Sequence, residues 1–150
     1  MRTIIGMEGK AMAQIKNILQ KAEDNDYFRQ VLATGEKVQI VIMSIPPGGE
    51  IGSETHSDND QSLLLVSGAG QVVLNGQAAD YEAGDIVLVP AGTEHNFITK
   101  GDAPMKIITT YSPPHHPDGT IHKTKAEADA AGAKEKPNQG AITASTFQAL

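Results

Sequence analysis

Gly48-Gly-Glu-Ile-Gly-Ser-Glu54-Thr-His56-Ser-Asp-Asn-Asp-Gln61-Ser-Leu-Leu-Leu-Val-Ser-Gly68 is the stretch around which the chain is organised. Glu54 and His56 lie two apart, so on extended backbone both side chains point to one face. Gln61 then opens the β-rich apolar run Leu63-Leu64-Leu65-Val66, and a glycine turn follows at Ser67-Gly68-Ala69-Gly70. A carboxylate, an imidazole and an amide are thereby gathered at one end of two neighbouring strands. A fourth group, His95, stands at the end of Gly84-Asp-Ile-Val-Leu-Val-Pro-Ala-Gly-Thr-Glu-His95. This is the constellation of a metal site inside a small barrel.

Outward from that stretch the chain reads as short strands punctuated by glycine and proline, roughly eight to ten of them by the usual spacing. Val38 to Ile45 is β-branched almost throughout, apolar on both faces toward its end, and is closed by Pro46-Pro47-Gly48. Gln71–Leu74 and Ala78–Tyr81 flank Asn75-Gly76, a strong two-residue hairpin signal. Asp85–Val89 follows, and His95–Thr99 is expected to pair with Met105–Tyr111 around Lys100-Gly101-Asp102. Upstream, Tyr27–Leu32 reads as a strand. Ile15, Ile18, Leu19 and Ala22 recur at helical spacing, which predicts a short amphipathic helix over 11–22. Downstream, the segment from Ser112 to His122 carries Pro113, Pro114 and Pro117 and is expected to wrap over the barrel without regular structure. Residues 123–131 suit one or two helical turns, and a loosely held tail is expected from Gly132 onward.

The composition narrows the function. With 150 residues the chain is long enough for one domain with a proper core. A formal net charge of −6 argues against nucleic acid or an anionic membrane as partner. Cysteine is absent, so thiolate metal sites and disulfides are excluded. No run of about 18 apolar residues occurs, and the first residues lack an apolar signal region, so a soluble cytoplasmic protein is expected.

The two glycine-led segments resemble the motifs of the cupin superfamily. Its first motif runs Gly, five residues, His-x-His, three or four residues, Glu, six residues, Gly. Gly48, Glu54-x-His56, Gln61 and Gly68 keep that spacing without a gap. The second motif runs Gly, five residues, Pro-x-Gly-x-x-His, three residues, Asn. Gly84, Pro90-x-Gly92 and His95 match it, and Thr99 replaces the last residue. Glu54 stands where the family has its first histidine and Gln61 where it has glutamate, so one carboxylate and two imidazoles are retained. The resemblance implies an all-β double-stranded β-helix, a cupin jelly-roll barrel with a short N-terminal helical segment. Residues 1–37 would pack on it, 38–122 would form barrel and wrap, and 123–150 a short helix and flexible tail. Cupin barrels commonly dimerise, so a homodimer is expected.

The resemblance also implies one divalent transition metal ion, Zn, Mn, Fe, Ni or Co, on Glu54, His56, Gln61 and His95. Gln61 either ligates directly or hydrogen-bonds a ligand. The proline-rich segment is similar to that of small bacterial cupins labelled mannose-6-phosphate isomerase-like. An isomerase acting on a sugar, sugar phosphate or sugar acid is the leading expectation, with a small polar oxygen-rich substrate. The alternatives are a non-haem metal dioxygenase and a non-catalytic small-ligand-binding cupin. Tyr111 and His122 are the candidate catalytic residues, although a core tyrosine and solvent-facing histidines at 115, 116 and 122 are the plainer readings. Arg29 either anchors an anionic substrate or packs beside Phe28.

Overall fold

A computed structural model describes residues 2–7 and 10–135, with side chains from 12 to 132. Among the described residues, eleven strands and two helices follow in order: β1 (Arg2–Met7), β2 (Lys10–Ile15), α1 (Ile18–Asp24), β3 (Arg29–Thr34), β4 (Gln39–Ile45) and β5 (Asp60–Ser67). They continue with β6 (Ala69–Leu74), β7 (Gln77–Glu82), β8 (Ile86–Val89), β9 (His95–Lys100), β10 (Met105–Ser112), β11 (Ile121–His122) and α2 (Lys125–Glu135). A six-stranded sheet in the order β11-β3-β4-β10-β5-β8 faces a three-stranded sheet, β7-β6-β9, and every pairing is antiparallel. This is the double-stranded β-helix expected from the sequence, with small helices added. No helix among the described residues is long and apolar enough to cross a membrane.

Strand alternation builds the interior. Leu63 and Leu65 on β5, Phe97 on β9, Met105 and Ile107 on β10 and Tyr81 on β7 are fully buried between the sheets. Tyr81 donates its hydroxyl to the Leu63 carbonyl at 2.9 Å, so the buried phenol is satisfied, and its ring meets Phe97 edge-on at 5.1 Å. At the corner where β5 passes into β6, Gly68 has φ +91°, and a Cβ there would lie 2.3 Å from the Pro104 carbonyl oxygen. Only glycine fits that bend. Asn75 and Gly76 both take positive φ and close the β6–β7 hairpin as expected.

The outer face of the six-stranded sheet is covered too. Ala22 of α1 packs with Leu32 of β3 and Ile42 of β4, with Ile15, Ile18 and Ile108 beside them. That explains why β4 is apolar on both faces.

Three expectations need correction. Residues 11–22 are not one helix, because 10–15 form β2, hydrogen-bonded in register to β1 from Arg2↔Ile15 to Met7↔Lys10. Ala-Met-Ala-Gln-Ile fits both periods, and the pairing decides it. Asn17, at φ 52°, then turns the chain, and the helix starts only at Ile18. β9 and β10 are not a pair: β9 pairs with β6, whereas β10 lies between β4 and β5. The helix over 123–131 is present but runs on to Glu135, so residues 132–135 are not loose tail. The rest of that expected tail, 136–150, lies outside the described residues.

Candidate metal centre

Glu54 and His95 exchange both backbone hydrogen bonds, N to O, at 2.9 Å in each direction. A narrow pair of this kind sets two side chains side by side on one face. His56, two positions on, is on the same face and is 8% exposed. The expected parity therefore holds, although 51–59 is an extended segment held by isolated bridges rather than a strand. Glu54 also faces the second motif rather than β5. Glu54, His56 and His95 each bring one ligand atom to within 4.8 Å of the others. The two imidazole centroids are 5.1 Å apart, and the Glu54 Oε1–His56 Nε2 separation is 3.8 Å.

The chemistry of these donors fits a metal. His95 Nδ1 lies 2.8 Å from the Thr93 carbonyl, and a carbonyl only accepts, so the ring proton sits on Nδ1. Nε2 is left as a bare lone pair, and it is buried without a hydrogen-bond partner. A carbonyl fixing the far nitrogen of a histidine is the usual support of a metal ligand. Gln61, on β5, repeats the pattern. Its Nε2 donates to Thr109 Oγ1 at 3.1 Å, Thr109 passes its own proton to the Ser62 carbonyl at 2.7 Å, and Gln61 Oε1 is buried without a partner. Thr99, the departure from the motif, donates to the Ile45 carbonyl at 3.2 Å and braces β9 against β4.

Glu54 and His56 line a cavity of about 1270 Å³ that opens at this end of the barrel. Tyr111 sits opposite Gln61 in the β10–β5 register, is 1% exposed, and turns its ring edge to His56 at 5.9 Å. Burial pushes the Tyr111 hydroxyl up to about 12, with Arg29 pulling it the other way and Glu54 adding to the rise, so the phenol keeps its proton. Arg29 and Gln61 both act on that hydroxyl, each drawing it down against the larger effect of burial. Arg29 is opposite His122 in the β3–β11 register, and its Nη1 lies 3.1 Å from His122 Nδ1. Arg29 packs over the Phe28 ring at 5.2 Å, as the second of its two readings has it, and it also lines the cavity.

The wrap departs in part from the plain expectation. His115 is exposed as expected, although it also lines the cavity; His116 and His122 are only partly exposed and line it too, and His122 belongs to a strand. His115 comes to 4.4 Å from His56 and stacks on Tyr111 at 5.4 Å, ring centre to ring centre. His116 is driven down to about 2, first by burial and then by Arg29 and the neighbouring imidazoles, and stays neutral.

The residue that positions this loop is one the sequence did not single out. Gln39 is fully buried. Its Oε1 accepts from the backbone N–H of His115 and His116 at 3.1 and 3.0 Å, and its Nε2 donates to the His116 carbonyl at 2.7 Å. A lone amide opening an otherwise apolar strand was the available signal. Asn59 adds a bond to the Pro113 carbonyl. Helix α2 covers one flank of the cavity with Lys125 and Ala128. It is capped by Thr124 Oγ1, which accepts from Glu127 N, while Glu127 Oε1 accepts from Lys123 N.

Comparison with known proteins agrees with this architecture. A family model described as Cupin domain matches residues 41–111. The uncharacterized protein YrkC of Bacillus subtilis is 43% identical over 124 residues, 78% of this chain and 66% of that protein, so the chain spans just under two thirds of that relative. The uncharacterized protein L612 of Acanthamoeba polyphaga mimivirus is 32% identical over 80% of this chain and 78% of its own length. The crystal structure of BH2720 from Bacillus halodurans superposes with a TM-score of 0.77 at 37% identity, covering 78% of this chain and 93% of that one. With the barrel, both motifs and these relatives in agreement, the chain belongs to the cupin superfamily.

Proposed function

We propose that this cupin is a metal-dependent isomerase of a small oxygen-rich molecule: a sugar, sugar phosphate or sugar acid. The observation that carries the reading is the cluster of Glu54, His56 and His95, whose ligand atoms lie within 4.8 Å of one another, with His95 Nε2 buried without a hydrogen-bond partner. Glu54, His56 and His95 would hold a divalent ion of the Zn, Mn, Fe, Ni or Co group, with Gln61 as a neutral fourth donor. Bound there, the ion would supply Lewis-acid polarisation of adjacent carbonyl and hydroxyl oxygens.

The chain's own residues supply the rest. Tyr111, which keeps its proton, donates a hydrogen bond to a substrate oxygen. His115, stacked on Tyr111 and set against His56, is the imidazole placed to carry a proton between neighbouring carbons. His122 fits a donor better than a base. Arg29 can only donate, so His122 Nδ1 accepts, and the proton of the neutral ring lies on Nε2. Ser53, Thr55, Ser57 and Asn59 along the cavity wall support a polar substrate.

The test is an anaerobic assay of metal-loaded protein with a panel of aldoses, ketoses, their phosphates and uronates. Isomerisation that chelation abolishes supports the proposal. No turnover there, combined with metal-dependent oxygen uptake on a diketone or catechol, overturns it in favour of a dioxygenase.

A further inference from the structure

Arg29 is 6% exposed and permanently charged, yet it forms no ion pair among the described residues. Burying a cation this way is costly unless an anion joins it. Its contacts are uncharged or potentially positive: His122 Nδ1 and the Phe28 ring, with Tyr111 and His116 near enough to feel its charge. Its Nε is buried without a partner, as is His116 Nε2. The acids of the same cavity are engaged elsewhere or lie at the rim. Glu54 belongs to the metal cluster, Asp129 pairs with Lys125 at 2.8 Å, and Asp58 is exposed. A guanidinium held in the wall of a cavity, with no carboxylate among its contacts, matches the fork of a carboxylate or phosphate.

We propose that Arg29, with His122 as a second donor, forms an anion-recognising subsite in this cavity. The molecule taken at the metal cluster therefore carries a carboxylate or phosphate in addition to its chelating oxygens. Neutral sugars are excluded as the preferred ligands. The placement of the rest of the molecule rests on the metal-centred reading above, whereas the anion subsite rests on Arg29.

The experiment is calorimetric titration of the full chain with D-galacturonate, glucose 6-phosphate and uncharged D-galactose. It is run on metal-loaded and on chelator-stripped protein, for wild type, Arg29→Gln and Arg29→Lys, with metal content measured in parallel. Wild type should prefer at least one anionic sugar to galactose by tenfold or more, and the winner tells carboxylate from phosphate. Arg29→Gln should lose that preference at unchanged metal content, while Arg29→Lys keeps part of it. Wild-type anion affinity should also fall with added salt while galactose affinity does not, a readout that needs no variant. Equal affinity for galactose and both anions in wild type overturns the subsite, as does full anion preference in Arg29→Gln. Anion preference in a protein that never loads metal supports the subsite and sinks the metal-centred reading instead.

Discussion

Along β5 the inward positions run from Gln61 to Leu63 and Leu65, along β9 from His95 to Phe97, and along β10 from Tyr111 to Ile107 and Met105. The same strands thus build both ends of the barrel. At the closed end the side chains are apolar, fully buried and in mutual contact, and the phenol of Tyr81 finds a carbonyl. At the open end the inward residues are His95, Gln61 and Tyr111, joined by Arg29 and His116. The buried side-chain atoms without partners, among them Arg29 Nε, Gln61 Oε1, His95 Nε2 and His116 Nε2, belong to residues at that end. A fold that satisfies its polar groups at one end and leaves them unmatched at the other keeps the second end for a ligand. Stability resides at the closed end, and the candidate metal site at the open one.

The comparison can be broken most directly at Phe97. Phe97→Ala removes a fully buried ring from the closed end and should cost about 3–5 kcal/mol in urea unfolding. A loss below about 1 kcal/mol would show that the closed end is not the stabilising half.

A smaller effect is expected from acid. His116 is neutral in the folded protein down to about pH 2, whereas in the unfolded chain it takes up a proton near its ordinary value of 6.5. Between those values the unfolded state binds the extra proton, so stability is full above 6.5 and falls as pH drops. For metal-stripped protein the loss from pH 7 to pH 5 should be about 2 kcal/mol from this group. His116→Asn should flatten that slope, and urea melts at the two pH values check it. An unchanged slope would mean that the His116 imidazole is not held neutral at the cavity wall.

The smallest change is expected at His95. His95→Leu removes an unmatched buried lone pair at Nε2 along with the one bond from Nδ1–H to the Thr93 carbonyl, and the metal-free protein should stay within about 1 kcal/mol of wild type. A loss as large as that for Phe97→Ala would show that His95 supports the fold, and the contrast between the two ends would fail.

How far all this was legible from the sequence depends on the range of the contact involved. Gly68, Asn75-Gly76, Pro90 and Gly92 impose local backbone shapes, and their spacing carried the barrel and placed Glu54, His56, Gln61 and His95 at one end. The pairing of β9 with β6 rather than β10 is non-local, and alternation along a strand does not name its neighbour. β1 and β2 were missed because a run of Ala, Met, Gln and Ile fits a helix as well as a strand, and register decides between them. His115 is exposed as read, whereas the partial burial of His116 hangs on Gln39, 77 positions away. The Arg29–His122 contact likewise needs β11, a two-residue strand too short to show any period.

The central claim, that the open end is a metal centre, is tested most directly by metal analysis of the untagged chain, stripped and then reloaded with Zn(II) or Mn(II). Wild type should retain about one ion per chain, as expected for a closed set of histidine and carboxylate donors. His56→Ala, still folded by its urea melt, should retain almost none, and Gln61→Ala should bind more weakly. Full loading of His56→Ala, or no loading of wild type with either metal, would contradict the account.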